Sequence, residues 1–188
     1  MVALTSLELP MVVIMAGLPG TGKSTVARSL AQRLPVAVLD KDIIRAALFA
    51  PERVEYSRAQ DDFCQEIMLQ TAAYLFGRNS SLCVLLDGRT FSRRYQRDRV
   101  LEFCSQLRTR WAILECGCSE QTALARLEKA AAEQTHLATN RTPDLYHQIR
   151  KAWEPIDCAK LVIDTEASLD SCVERAAQYL AQIGRPTG

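Results

Sequence analysis

Lys23 and Ser24 close the run Gly17-Leu18-Pro19-Gly20-Thr21-Gly22-Lys23-Ser24, a full match to GxxxxGK[ST]. The apolar run Met11 to Ala16 precedes it, and an amphipathic stretch follows. Glycines let such a backbone curl until successive N–H groups point inward at phosphate oxygens, and the helix behind adds the positive end of its dipole. The Lys23 ammonium would reach the β and γ phosphates of a nucleoside triphosphate. The Ser24 hydroxyl would ligate Mg²⁺, and Thr25 would support the loop. Gly17, Leu18, Pro19, Gly20, Thr21, Gly22, Lys23, Ser24 and Thr25 are therefore the candidate nucleotide-binding residues, with ATP and Mg²⁺ the implied cofactors. A glycine-rich turn with an accidental lysine would have to produce the whole pattern by chance in a strand-to-helix frame.

Two further segments place carboxylates at the ends of apolar runs. Leu82-Cys83-Val84-Leu85-Leu86 leads into Asp87, a candidate metal residue alongside Ser24. A strand-terminal aspartate can also serve merely as a cap for its loop. Val38-Leu39 leads into Asp40, with Asp42 two residues on and Arg45 a helical turn later. An aspartate at that edge can accept a proton from an attacking hydroxyl, and an arginine can hold the acceptor. Asp42 is the candidate base and Arg45 its companion. Asp42 could instead cap a helix starting at Ile43, and Asp40 could be the base.

Elements must hold these groups in place. Five runs rich in Val, Ile and Leu predict strands: Met11 to Ala16, Val36 to Leu39, Leu82 to Leu86, Trp111 to Cys116, and Leu161 to Ile163. They are apolar throughout rather than alternating, as in parallel strands covered on both faces. Between them, apolar residues return at three and four: Val26, Leu30 and Leu34; Phe63, Ile67, Thr71 and Tyr74; Leu124 and Leu127; Leu169, Val173, Ala176 and Leu180. Strand alternating with helix predicts an open α/β fold with ligands at the carboxyl ends of the strands. Gly77 reads as the glycine that closes the third helix, and Pro35, Pro51, Pro143 and Pro155 mark boundaries.

The chain has 188 residues, 48% hydrophobic and 24% charged, which suits one catalytic domain over residues 1–188. A net charge of +1 argues against a general nucleic-acid or membrane binder. No apolar run approaches the roughly 20 residues of a membrane span, and no cationic leader is recognisable, so a soluble cytoplasmic protein is expected. Seven cysteines, without a CxxC pair, read as small core residues, Cys116 and Cys118 included. His136 and His147 lack a partner motif and read as surface or lid residues. Arg89, Arg93, Arg94, Arg97 and Arg99 follow Asp87. Arg89 and Arg93 lie nearest the strand edge and could meet phosphate or a charged acceptor, Arg93 being preferred, whereas Arg97 and Arg99 read as a solvated face.

GLPGTGKST together with VLDKDIIRAALF resembles the nucleotide and acceptor motifs of small P-loop kinases: adenylylsulfate kinases, zeta-toxin-type kinases, chloramphenicol phosphotransferases and the wider AAA-type kinase-like group. LLDGRTFSRRYQRDRVLEF and LVIDTEASLDSCVERAAQYL are similar to later segments of the same group, so the resemblance covers nearly the whole chain. It implies a P-loop NTPase fold of three α/β/α layers, with a five-stranded parallel sheet in the order 2-3-1-4-5. It also implies a short helical lid at about 133–143. By the same resemblance Asp42 and Arg45 face the acceptor, Arg126 approaches the ATP phosphates, and Arg141 is the closing cation. With Lys23 these complete the candidate catalytic set. One departure matters. Adenylylsulfate kinases follow the strand-two aspartate with Gly-Asp-Asn, whereas Asp40-Lys41-Asp42-Ile43 stands here, which argues against a sulfate-assimilation role.

The expected activity is transfer of the γ-phosphoryl group of ATP to a hydroxyl of a small-molecule acceptor. A polynucleotide 5′-hydroxyl kinase is a second reading, permitted by the arginine cluster but disfavoured by neutral charge and missing stacking aromatics. A nucleotide switch or NTPase without an acceptor is a third.

Overall fold

Strand β1 (Met11–Ala16) is fully buried along its length, so it has no polar face to turn to water and takes the centre of the sheet. In the computed structural model, which describes residues 10–133 and 140–184, it lies between β3 (Cys83–Asp87) and β4 (Arg110–Gly117). Strands β2 (Val36–Asp40) and β5 (Leu161–Asp164) take the edges, giving one parallel five-stranded sheet in the order β2-β3-β1-β4-β5. The expected α/β class and strand order both hold. Strands β2, β3 and β5 each run one residue further than the apolar run alone suggested, because an aspartate ends each.

Helices α1 (Lys23–Arg33) and α7 (Leu169–Gly184) cover one face, packing Val26, Leu30, Val173, Ala176 and Leu180 on Met11, Val13 and Met15. Helices α3 (Arg58–Arg78) and α4 (Arg94–Leu107) cover the other, with Met68, Leu69, Val100 and Phe103 on Val12, Ile14 and Leu86. Three α/β/α layers result. A shorter helix, α2 (Lys41–Leu48), leaves β2 directly; α5 (Glu120–Ala132) and α6 (Pro143–Lys151) form a small satellite core through Ala123, Leu127 and Tyr146.

Three expectations about helices change. The buried stripe of α3 is Cys64, Met68, Ala72 and Phe76 with Gln65 and Leu69, while Phe63 and Tyr74 are exposed. The true stripe is displaced because Gln65 is buried for its hydrogen bonds: it accepts from Arg89 and donates to the Gln96 carbonyl. Leu169 is likewise exposed at the start of α7. Gly77 lies inside the last turn of α3, which runs on to Arg78 and ends at the extended Asn79. Most of the expected lid and His136 lie outside the described residues. Among those described, no helix is long and apolar enough to cross a membrane.

Candidate functional site

The turn after β1 is built around backbone that only glycine enters freely. Gly17, Gly20 and Gly22 have φ of 141°, 77° and 78°, and a Cβ at Gly17 or Gly20 would strike the carbonyl of Cys116 or of Ala123. Gly22 is the N-cap of α1 and supplies no side-chain acceptor, so the first-turn N–H groups of that helix are available to an anion. Lys23 is 6% exposed, and its ammonium donates to the carbonyls of Gly17 (2.8 Å) and Leu18 (2.7 Å). Burial, seconded by the charge of Arg141, lowers it to about 8 against the opposing pull of Asp87. Ser24 is half-buried at the loop's end, and Thr25 is exposed.

Asp87 closes β3 beside this lysine and is 1% exposed. Its Oδ1 is buried without a hydrogen-bond partner. The orphaned carboxylate oxygen of Asp87 and the hydroxyl of Ser24 at the end of the glycine turn are hard oxygen donors, the kind Mg²⁺ accepts, so both residues fit Mg²⁺ as the glycine turn fits phosphate.

Asp40 pairs in register with Asp87 across β2 and β3. Its Oδ1 accepts from the Asp42 N–H at 2.8 Å and caps α2. The helix therefore starts at Lys41, two residues earlier than a cap at Asp42 would place it. Burial, then the Asp87 charge, push the Asp40 carboxyl up. Relieved of capping, Asp42 turns its carboxylate into a cluster of cations. Arg45 donates to Oδ1 at 2.8 Å, Arg141 to Oδ2 at 2.9 Å, and the Lys41 ammonium lies 3.3 Å from Oδ1. Burial would raise Asp42, but Lys41, then Arg141 and Arg45, outweigh it and hold the carboxyl below its ordinary value.

Lys23 and Asp42 line one pocket of about 110 Å³, with Lys41, Tyr56, Asp61, Arg89 and Arg141 among its walls. Asp61, from the first turn of α3, accepts from Lys41 at 2.8 Å and from Arg45. Arg89 is 3% exposed and donates to Gln65 and Asp62. Tyr56 has φ of 50°, and the Arg45 guanidinium sits 5.1 Å from its ring centre. Lys41, Tyr56 and Asp61 were missed by sequence reasoning, since only the packing of α3 on α2 brings them together. A lysine between two aspartates at a strand end was the available signal.

Arg126 does not reach this pocket. Its guanidinium donates to the hydroxyl (3.0 Å) and carbonyl (2.8 Å) of Thr165 and reaches the Gly20 carbonyl at 3.5 Å, tying the loop after β5 to the glycine turn. Thr165, also unforeseen, donates to the Thr21 and Gly117 carbonyls at 3.1 Å each. Among the later arginines, Arg89 and not Arg93 takes the pocket position, because Arg93 pairs with Glu154. Arg97 is buried rather than solvated, donating to the Phe91 and Pro155 carbonyls, while Arg99 pairs with Glu66. His147 is exposed beside Glu120. Burial pushes the Cys83 and Cys116 thiols up to about 12, in keeping with a packing role.

Comparison with known proteins meets this geometry from outside. The chain is similar in structure to a gluconokinase from Sinorhizobium meliloti 1021, with 16% identity, TM-score 0.67 and 95% of each chain covered. An APS kinase from Mycobacterium tuberculosis, solved with AMPPNP and APS, gives 19% identity and TM-score 0.66 over 92% of this chain and 97% of that one. A sugar kinase from Janibacter sp. HTCC2649 gives 16% identity and TM-score 0.65 over 95% and 99%. At such identities the likeness speaks for the fold. No curated protein sequence matches the chain. The model of the AAA domain family matches residues 12–137, two-thirds of the sequence including the glycine turn, Asp42 and Asp87, and the chain belongs to that family of P-loop proteins.

Proposed function

We propose that this protein is an ATP- and Mg²⁺-dependent kinase, acting as one catalytic domain, that transfers a phosphoryl group to a hydroxyl of a small-molecule acceptor. One observation carries the reading: Lys23 of the phosphate turn and the buried carboxylate of Asp42 line the same pocket. The carboxylate can orient an acceptor hydroxyl, and the walled space beside it can hold the acceptor and keep water out, as transfer requires.

Bound magnesium nucleotide would supply the phosphoryl group and neutralise charge as it moves. The glycine turn and α1 hold the polyphosphate, with Ser24 and Asp87 on the metal side. Lys23 exchanges the Gly17 and Leu18 carbonyls for phosphate oxygens. Asp42 orients the acceptor hydroxyl and takes its proton as the hydroxyl oxygen bonds to phosphorus and ADP departs. Arg45 and Lys41 fix the Asp42 carboxylate, and Arg141 bears on both Asp42 and Lys23, so it neutralises charge between donor and acceptor. Arg126 acts one step back, by bracing the glycine turn through Thr165. The half-buried Arg93 and Arg99 and the exposed Arg94 are engaged by Glu154, Glu66 and Asp157, which leaves little of this cluster for a nucleic-acid backbone and supports a small acceptor.

The test is Asp42→Asn, followed by ADP release in the presence of a metabolite pool and by calorimetry with Mg-ATP. Transfer should fall by roughly 10²- to 10⁴-fold while nucleotide affinity stays within about threefold. Acceptor-independent hydrolysis that ignores the substitution would sink the kinase reading.

A further inference from the structure

The walls of the acceptor pocket, together with Arg45 and Asp62 that pair with wall residues from outside it, carry an internal charge match that selects what can enter. Four cations stand on the acceptor side: Lys41, Arg45, Arg89 and Arg141. Three carboxylates face them: Asp42, Asp61 and Asp62. Lys41 and Arg45 each touch both Asp42 and Asp61, Arg141 touches Asp42, and Arg89 touches Asp62. Each cation in this group already touches a carboxylate, and only the Nε of Arg45 and of Arg89 stays buried without a hydrogen-bond partner among them. Arg141 is the odd member, and it is also the one whose charge bears on Lys23 at the phosphate side. With Lys23 and Arg141 counted to the phosphates, Lys41 and Arg89 stand against Asp42 and Asp61 in the walls, and Arg45 against Asp62 outside them.

We infer that the acceptor is an uncharged polyhydroxyl compound, recognised because a hydroxyl can bond both members of a paired ionic network without altering its charge. This inference rests on the kinase reading above. A hydroxyl donates to a carboxylate lone pair and accepts from an ammonium or guanidinium N–H, so Asp42, Asp61 and Lys41 can all be met by neighbouring hydroxyls of one molecule. A carboxylate or phosphate on the acceptor would have to displace Asp42 or Asp61 from its cations and leave that aspartate buried and unpaired. An amine would displace Lys41 or Arg45 in the same way. Leu145 and Ile149 of α6, with Pro19, give the pocket an apolar side for the carbon skeleton. Its 110 Å³ is the liquid volume of roughly four waters, the scale of a short polyol.

The test uses the full chain with Mg-ATP and matched acceptors on one carbon skeleton of about three to four carbons: aldose, alditol, aldonate and sugar phosphate. Transfer is read by ADP release and by mass of the product. Neutral members should exceed their aldonate and phosphate counterparts by about a hundredfold in kcat/KM. An anionic member favoured over its neutral counterpart overturns the inference while leaving the kinase reading intact. ATP hydrolysis with transfer to no hydroxyl compound overturns both.

Asp62→Asn supplies an independent arm. Asp62 lies at the outer end of the network, its side chain 45% exposed, and Arg89 keeps its bonds to Gln65 and the Asp61 carbonyl without it. The variant leaves one cation unmatched. The aldonate-to-alditol ratio of kcat/KM should rise roughly tenfold, with the melting temperature near wild type. Equal loss on both acceptors would mark Asp62 as merely structural and overturn the charge match.

Discussion

Arg141 and Asp42, 99 residues apart in sequence, form a 2.9 Å ion pair across the pocket. Both also bear on the Lys23 ammonium, Arg141 lowering it and Asp42 raising it. One arginine thus bears on the titration of both groups that line the space where donor and acceptor would meet.

Replacing Arg141 with Ala should therefore change more than rate. Arg141 helps hold the Asp42 carboxyl below its ordinary value. Without it Asp42 titrates at a higher pH, so its ionised form is lost earlier on acidification. The acid limb of kcat should move to higher pH, and kcat at pH 7.5 should fall by about 10²-fold or more, as for cations that neutralise a transferring phosphoryl group. A pH–rate profile of both proteins decides this; a uniformly scaled profile with an unmoved acid limb would mean that Arg141 does not act through Asp42.

Lys23 makes a prediction about the protein without nucleotide. Its ammonium is lowered from 10.5 to about 8 chiefly by burial. Below pH 8 it is charged in both folded and unfolded chains, and the folded state bears the whole cost of burying it. Between pH 8 and 10.5 the folded chain sheds the proton first, so this cost is relieved as pH rises. At about 1.36 kcal/mol per pH unit the cost is roughly 3 kcal/mol. Lys23→Met should make the nucleotide-free protein more stable at pH 7, and the advantage should shrink above pH 8. Urea unfolding at several pH values measures it. Stabilisation by Mg-ATP should disappear in the variant.

The sheet was legible because central parallel strands are apolar on both faces: Met11 to Ala16 is fully buried as its composition demanded. The glycine turn was legible because its backbone admits little else. Other features depend on partners far along the chain. Arg97 reads as a surface residue until the Phe91 and Pro155 carbonyls claim its guanidinium. The buried stripe of α3 was misread by one residue because Gln65, polar and locally unremarked, is drawn inward by Arg89. Lys41 and Asp61 enter the site only when α3 packs on α2, and periodicity does not encode that docking.

Gly88 links the two strand ends that carry the aspartates. Its φ is 81°, and a Cβ there would lie 2.5 Å from Asp40 Oδ1 and 2.8 Å from the Lys41 nitrogen. Gly88→Ala must strain the left-handed backbone and push Asp40 off the amide it caps. The expected cost is roughly 2–3 kcal/mol of stability, with kcat reduced because Asp42 moves with its helix. Thermal unfolding and a kinetic assay test both parts; a loss of stability without any loss of kcat would show that Asp42 is not positioned through this cap.

Asp87 separates a structural carboxylate from a metal-holding one. Its Oδ1 is buried without a hydrogen-bond partner, and its strand neighbour is a second aspartate, Asp40. Such an oxygen costs about 1–3 kcal/mol while it stays unsatisfied. If that cost persists because a cation satisfies it in the working enzyme, Asp87→Asn should leave the nucleotide-free protein as stable as wild type or more so. It should also remove most of the extra stabilisation that Mg²⁺ adds to ATP. Thermal shifts with ATP plus EDTA and with Mg-ATP give the difference directly. A variant that unfolds more easily without ligand, yet keeps the full magnesium increment, would place the metal elsewhere and make Asp87 a structural residue.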